Sequence, residues 1–254
     1  SFGGIPGDPK LHLPRADAAA AALEDGRVLI VGGASADTTS AEVYDPVAAT
    51  FSGVPSSMTA GRNDPAAALL GNGRVLVVGS GASAEIFDPV TQTFTAISAT
   101  MSIPRDTPLA VPLADGTVLV TGGYDGSGVV PRSAELFVPA PEARITGTAP
   151  FGGVDVGVSA PVRTVTIRNV GAQALTIGSG LTLSGDDPGD FALSENTCAG
   201  ATLAFKATCT LKVTFKPADG GARTARIELV TNAPTSSVVK LSGTGVGPAP
   251  TTAP

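Results

Sequence analysis

One pattern recurs three times in the first half of this chain, and recurrence in register constrains a fold more tightly than composition does. The first copy sets Arg15 ahead of Asp25-Gly26-Arg27-Val28-Leu29-Ile30-Val31-Gly32-Gly33, followed by Ser40-Ala41-Glu42-Val43-Tyr44-Asp45-Pro46. The second sets Arg62 ahead of Asn72-Gly73-Arg74-Val75-Leu76-Val77-Val78-Gly79, then Ser83-Ala84-Glu85-Ile86-Phe87-Asp88-Pro89. The third sets Arg105 ahead of Asp115-Gly116-Thr117-Val118-Leu119-Val120-Thr121-Gly122-Gly123, then Ser133-Ala134-Glu135-Leu136-Phe137-Val138-Pro139. Each Arg precedes its turn glycine by 11 residues, and the Args stand 47 and 43 residues apart. An apolar run (18–23, 66–70, 109–113) meets the Gly-centred turn and then a Val/Leu/Ile-rich run. That order predicts a β-hairpin whose second strand is buried on both faces. The glycines closing that strand permit close backbone approach. A third strand runs through Glu42, Glu85 or Glu135, and Thr50-Phe51 and Thr93-Phe94 mark a short fourth. Four short strands in 43–47 residues have the dimensions of a propeller blade.

The double glycine, the Ser-Ala-Glu-x-aromatic-Asp-Pro strand and the aromatic of the last strand resemble the kelch repeat over roughly residues 11–139. Phe51 and Phe94 stand where that family more often has Trp, and Gly79-Ser80 replaces the double glycine in the second copy. The resemblance implies a partial β-propeller. Propellers close with roughly four to eight blades, and three are present here. After Pro139 no Thr-Phe strand follows; before Arg15, Leu11 is what matches Met58 and Met101, each four residues ahead of its Arg. The arc is therefore open at both ends, and its edges require cover from the second domain, another subunit or further blades.

From about Arg144 the pattern changes to alternating strands. In Leu211-Lys212-Val213-Thr214-Phe215 the apolar side chains share one face, and Ala225-Arg226-Ile227-Glu228-Leu229, Val165-Thr166-Ile167 and Leu175-Thr176-Ile177 repeat the alternation. Turn clusters separate them, and about seven short strands in a hundred residues predict an immunoglobulin-like sandwich. The wording resembles the ASH-type (choice-of-anchor D) Ig-like domain over roughly 145–247. Its marks are Phe151-Gly152-x-Val154-x-Val156-Gly157, Asn169-x-Gly171, Ser184-Gly185-Asp186 through Asp190-Phe191, Val213-x-Phe215-x-Pro217 and Leu241-Ser242-Gly243-Thr244-Gly245. In bacterial relatives such domains decorate secreted and surface proteins as spacers or adhesive modules. The resemblance also implies a Cys198–Cys209 disulfide, in keeping with an oxidising compartment; two buried free thiols are the alternative. The expected organisation is a kelch-repeat partial propeller at 1–143, an ASH-type sandwich at 144–247 and a Pro-rich tail at 248–254. The chain opens at Ser1 with neither initiator Met nor signal peptide, which reads as a processed or excised segment.

Composition supplies exclusions. With 32 Gly and 21 Pro in 254 residues, about a fifth of the chain resists long helices. The net charge of −6 lacks any basic run, which excludes a nucleic-acid or anionic-membrane footprint. No apolar run approaches the roughly 18 residues that span a bilayer. Residues 1–144 carry a balance of −7 and residues 145–254 of +1, a weak incentive for head-to-tail contact.

Chemistry-bearing residues are sparse. Kelch propellers include copper-radical oxidases, which need several His and Tyr ligands; the chain offers His12, Tyr44 and Tyr124. His12 reads as structural or exposed, and Tyr44, aligned with Phe87 and Phe137, as core. No Gly-x-Ser-x-Gly elbow is present. The two Cys alone cannot form a structural zinc site. Glu42, Glu85 and Glu135 recur at one blade position and read as structural rather than as glycosidase carboxylates. Arg15, Arg62 and Arg105 read as inter-blade partners of Glu or carbonyls rather than a binding rim. Asp186, Asp187 and Asp190 read as a turn rather than a Ca²⁺ site. The unequal loops are the better pointers. The second copy's is nearly absent (80–82), whereas the third runs from Tyr124 to Arg132, making Tyr124, Asp125, Val129, Val130 and Arg132 the candidate interaction loop.

The reading is an all-β, non-catalytic structural or adhesive protein at an extracellular or cell-surface location, with no metal or organic cofactor. Its expected partners are proteins, foremost further copies of itself, with a surface glycan as the other class and no membrane insertion. The runner-up is a fragment of a larger carbohydrate-binding or oxidase-like propeller; a cytosolic scaffold stands third. Either 143–148 covers the third blade's edge locally, or residues 1–10 of a neighbour add on as a strand, giving a filament or a six-blade ring.

Overall fold

The computed structural model describes residues 4, 7, 9–34, 36–148 and 150–247. Most of the N-terminal segment expected to pair with a neighbour, and the Pro-rich tail at 248–254, lie outside the described residues. The chain is all-β and divides into two compact units, residues 1–138 and 139–254.

In the first unit the repeats become three small antiparallel sheets. Sheet I is the meander β1 (Ala19–Ala22), β2 (Val28–Val31), β3 (Ala41–Asp45) and β4 (Thr50–Gly53). Sheet II repeats it with β5 (Ala66–Leu69), β6 (Val75–Val78), β7 (Ala84–Asp88) and β8 (Thr93–Ala96). Sheet III has three strands, β9 (Leu109–Pro112), β10 (Val118–Thr121) and β11 (Glu135–Phe137). The pairing register is the same in all three: Val28 opposes Tyr44, Val75 opposes Phe87 and Val118 opposes Phe137. In the two complete sheets the third-strand aromatic meets one on the fourth strand. Tyr44 lies over Phe51 with centroids 4.8 Å apart, and Phe87 over Phe94 at 4.9 Å. No sheet closes into a ring among the described residues.

The sheets share cores face to face. Leu29, Val31 and Val43 of sheet I pack with Val75, Val77, Phe87 and Phe94 of sheet II. On sheet II's other face Ala66, Ala68, Leu76 and Val78 pack with Val118 and Val120 of sheet III. Only β6 is therefore buried on both faces; β2 and β10 each bury alternate residues. The expectation of a doubly buried second strand in every repeat fails at the two ends, because a terminal sheet has a neighbour on one side only.

The second glycine closing β2 and β10 is obligatory. Gly33 sits at φ +89°, and a Cβ there would come within 2.6 Å of the Ala16 carbonyl oxygen. Ser80 holds the equivalent place in the second copy at φ 55°, and its hydroxyl accepts the Asn63 N–H at 2.9 Å, which offsets the strained backbone.

The second unit is an Ig-like sandwich. Its strands are β12 (Ala143–Thr146), β13 (Gly153–Asp155), β14 (Arg163–Asn169), β15 (Leu175–Thr176), β16 (Leu183–Ser184), β17 (Phe191–Ser194), β18 (Thr202–Leu203), β19 (Thr208–Phe215), β20 (Gly221–Leu229) and β21 (Ser237–Val246). One sheet runs β12-β14-β19-β17 and the other β13-β21-β20-β16, with β13 parallel to β21; β15 and β18 form a two-stranded ribbon. Inward residues of both sheets, among them Val165, Ile167, Leu211, Val213, Ile227 and Val239, make one core. Phe151, Phe191 and Phe215 cluster at one part of it, with centroids 4.9–6.1 Å apart.

The two compact units part between Val138 and Pro139, a few residues ahead of the expected 143/144, and of the two alternatives for covering the third blade the local one is not found, since Ala143–Thr146 pairs with Arg163–Asn169. The reason is local. Val170 N–H donates to the Glu142 carbonyl at 2.9 Å, and Gly171 approaches the Ala140 carbonyl so closely that no Cβ fits between them. These contacts commit 140–146 to the sandwich and leave β11 without the proposed cover.

Leu76→Ala, at the doubly packed strand, is expected to cost about 2–5 kcal/mol. Leu136→Ala, on an exposed face, is expected to cost less than about 0.5 kcal/mol. Urea denaturation of the full chain, following the first unit's transition, checks the pair.

Candidate functional site

The residues that recur most strictly in sequence converge in space. Each repeat's arginine reaches into its own sheet and meets the same three acceptors. Arg15 donates to Gly32 O at 2.9 Å, Ser40 O at 3.1 Å and Ser40 Oγ at 2.8 Å, and pairs with Glu42 at 3.3 Å. Arg62 donates to Gly79 O at 2.6 Å, Ser83 O at 3.1 Å and Ser83 Oγ at 3.2 Å, and pairs with Glu85 at 3.2 Å. Arg105 donates to Gly122 O and Ser133 O, both at 2.8 Å, and to Ser133 Oγ at 3.0 Å, with Glu135 at 3.8 Å. A buried guanidinium is tolerable only when its fork is met in this way.

The glutamates face a second task. Glu42 accepts the N–H of His12 and Leu13, Glu85 those of Thr59 and Ala60, and Glu135 those of Ser102 and Ile103. Each carboxylate thus pins the segment that enters its repeat. Desolvation raises the Glu42 and Glu135 pKa values. The backbone N–H bonds and neighbouring arginines outweigh it, holding both below the ordinary 4.5. Burial pushes the Arg62 guanidinium below its ordinary range, with Glu85 opposing.

The inter-blade role expected of these arginines is met by backbone, not side chain. Arg62 N–H donates to Thr38 O at 3.0 Å and Arg62 O accepts Gly33 N–H at 2.9 Å, both in the preceding repeat; Arg105 and Gly81 exchange the equivalent pair. Only the third network is loose. Glu135 keeps 23% of its side chain exposed, against 2% for Glu42 and 1% for Glu85, because sheet III has no fourth strand beside it among the described residues.

The oxidase-type ligand candidates have separate partners. His12 Nδ1 lies 2.9 Å from Glu42, Tyr44 stacks on Phe51, and Tyr124 is half-exposed with its backbone paired to Asp106. Among the described residues no group of three His, Cys, Asp or Glu is arranged to hold a metal ion. Asp186, Asp187 and Asp190 form a turn closed by an arginine that sequence reasoning passed over. Arg223 lies 2.7 Å from Asp187, 3.5 Å from Asp190 and 3.5 Å from Asp219, while Asp187 also accepts the Thr224 N–H. That backbone bond, then Arg223, holds the Asp187 carboxyl below its ordinary range.

The loop singled out for its length is a formed structure. Asp125 Oδ1 accepts the Ser127 and Val129 N–H groups, both at 2.9 Å, and Asp125 N–H donates to Val129 O at 2.8 Å. Tyr124, Val129, Val130 and Arg132 are left facing solvent. A larger surface was missed. Leu109, Val111, Leu119 and Leu136 share the outward face of sheet III, and Leu109 and Leu136 are 64% and 54% exposed. The signal was present: Leu109 and Val111 stand where the second copy has Ala66 and Ala68.

In the sandwich, Cys198 and Cys209 form a disulfide, with Cα atoms 5.0 Å apart. Asn169 is fully buried and fully used. Its Nδ2 donates to Gln173 O and Leu203 O, and its Oδ1 accepts the Gly171 and Glu142 N–H groups. The Asn-x-Gly mark is thus a structural staple.

Residues 136–239 match the profile of the ASH family, described as abnormal spindle-like microcephaly-associated, ASPM-SPD-2-Hydin; the second unit is an ASH domain. Comparison with curated protein sequences finds no match. Among solved structures, the chain is similar to YjhT at 18% identity and a TM-score of 0.41, covering 46% of this chain and 36% of that one. It is similar to the VesB protease of Vibrio cholerae at 21% identity and a TM-score of 0.34 (40% and 31%). The secreted serine protease VesC of the same organism matches at 19% and 0.34 (44% and 24%). The chain thus spans about a third or less of the length of these structures.

Removing either member of the Arg62–Glu85 pair is expected to cost about 3–5 kcal/mol, whereas Glu135→Ala costs roughly 1–2 kcal/mol. Equilibrium urea melts at pH 7 check this. Glu42 and Glu135 have depressed folded pKa values, so their contribution is complete above about pH 4.5 and is lost as the pH falls below it. A Tm series from pH 6 to pH 3 is expected to fall less steeply in a Glu42→Gln, Glu135→Gln chain.

Proposed function

We propose that this protein is a non-catalytic structural or adhesive scaffold at an extracellular or cell-surface location. In this reading the first unit is an open, three-blade propeller arc of kelch type and the second an ASH domain of the choice-of-anchor D kind. The carrying observation is how the recurring polar groups are used. The Arg, Ser and Glu of each repeat bond one another and the backbone, so the residues best placed to serve a substrate are engaged in holding sheets. What faces solvent on sheet III is apolar, which suits protein contact rather than catalysis.

The second unit supports the same reading, since an ASH domain is of a protein-interaction type. The Cys198–Cys209 bridge is compatible with secretion, and no helix among the described residues is long and apolar enough to cross a membrane. The loop from Tyr124 to Arg132 offers a second contact, ordered in advance by Asp125 and so cheap in entropy to bind.

Fractionation of host cells, combined with thiol labelling of the unfolded but unreduced protein, tests the location. Recovery in the medium or in a surface-protease-sensitive fraction, with no thiol labelled, is the expected outcome. Cytosolic recovery with two labelled thiols overturns it.

A further inference from the structure

The fourth strands of sheets I and II share one chemistry and one register. In sheet I, Asp45 opposes Thr50, Tyr44 opposes Phe51 and Glu42 opposes Gly53. In sheet II, Asp88 opposes Thr93, Phe87 opposes Phe94 and Glu85 opposes Ala96. Each fourth strand thus reads Thr-Phe-x-small, with its ring on the third-strand aromatic and its small residue beside the glutamate. Phe94 also packs on the preceding repeat, where it is buried with Val43, Val54 and Met58.

The equivalents of Val43, Val54 and Met58, 43 residues on, are Ile86, Ile97 and Met101. They adjoin the edge of β11, which has no strand beside it among the described residues. Cover is lost at every equivalent position there. Val43, Met58 and Phe87 are buried, but Ile86, Met101 and Phe137 are only half-buried. Glu85 is 1% exposed and Glu135 23%. Two hollows mark the place. One, of about 80 Å³, is lined by Leu76, Met101, Val120, Glu135 and Phe137. The other, of about 300 Å³, is lined by Arg74, Ile86, Asp88, Thr93, Thr95 and Ile97. Leu76 opposes Ile86, so both hollows lie along the face of sheet II that β11 covers only in part.

No described strand of this chain is spare for that edge. Thr50-Phe51 and Thr93-Phe94 are laddered in their own sheets, and the remaining Thr-Phe, Thr214-Phe215, pairs with Ala192 and Phe191 in the sandwich. Building on the reading of the chain as an interaction scaffold, we infer that the edge of β11 is a docking groove for an extended segment of a partner protein reading Thr-aromatic-x-Gly or Thr-aromatic-x-Ala. The segment runs antiparallel to β11, with its aromatic opposite Phe137 and its small residue opposite Glu135. Backbone hydrogen bonds to the open edge supply affinity, and the ring, seated toward Ile86, Ile97 and Met101, supplies specificity. The small residue leaves room for a carboxylate that already accepts the Ser102 and Ile103 N–H groups. Arg74 and Asp88 in the groove wall pair with each other at 3.0 Å, so the segment that fits is uncharged.

The probe is a fluorescein-labelled peptide with the sequence of residues 48–55, Ala-Ala-Thr-Phe-Ser-Gly-Val-Pro, titrated with the full chain and followed by anisotropy. Saturable binding is expected, about tenfold or more weaker for the Phe51→Ala peptide. A Thr95→Arg chain, which charges the groove wall at an exposed position, is expected to lose binding to a similar degree. A Leu109→Asp chain, altered on the outward face of sheet III, is expected to bind as wild type does. Register is read by oxidising a Leu136→Cys chain with the Ser52→Cys peptide, which places the two thiols directly opposite; a cross-linked band on a non-reducing gel is expected. No saturable binding, equal binding of the Phe51→Ala peptide, or binding without the cross-link overturns the inference. A chain whose mass by light scattering exceeds the 25.0 kDa of one copy, and falls back to it with excess peptide, gives the groove to a second copy and overturns it too. None of these outcomes alters the cell fractionation and thiol labelling, which test the scaffold reading separately.

Discussion

A buried guanidinium holds the first unit in order. Arginine cannot shed its charge at any ordinary pH, so burying it demands acceptors on nearly every N–H. Gly, Ser and Glu of the same repeat supply them, and that demand fixes where each sheet's first strand begins, where its second ends and where its third starts. Loop length between those points is then free to vary. The stretch from Gly79 to Ser83 and that from Gly122 to Ser133 differ greatly, yet the arginine binds the residues at both ends of each. The glutamate extends the constraint outward by accepting two N–H groups from the segment leading in.

Stacking follows from this local order. Once each repeat presents a meander with Val and Leu on both faces, burial requires another meander on each side. Among the described residues sheet II has two neighbours, and its β6 is buried on both faces; sheets I and III have one neighbour each. The cost of the unfilled faces is visible in the half-exposed Val28, Ile30 and Tyr44 at one end and in Leu109, Val111 and Leu136 at the other. The loosened Glu135–Arg105 distance belongs to the same deficit, because a carboxylate without a strand beside it relaxes toward water.

The sandwich solves its problems differently. Period-two strands bury one face each, and the polar groups at its crossings are met singly. Asn169 ties four backbone groups with one side chain, Arg223 gathers three aspartates at the turn, and the disulfide joins Cys198 to β19. Each of these ties a residue of a laddered strand to the turn or loop beside it.

The sequence by itself determined whatever is periodic: the three repeats, their strand order, their shared register and the alternating strands of the Ig-like domain. These follow from side-chain spacing along one segment, which is local and directly readable. Tertiary structure alone decided which equivalent positions have equal surroundings. Leu76 and Leu119 read alike, but one lies between two sheets and the other faces outward, because burial depends on a neighbour that no single repeat encodes. The same holds for Ala143–Thr146, whose β pattern suited either unit. Its place was settled by the close approach of Gly171 to Ala140, a contact between residues far apart in the pattern. Arg223 carried no mark in the sequence, and only the fold brought Asp187, Asp190 and Asp219 around it.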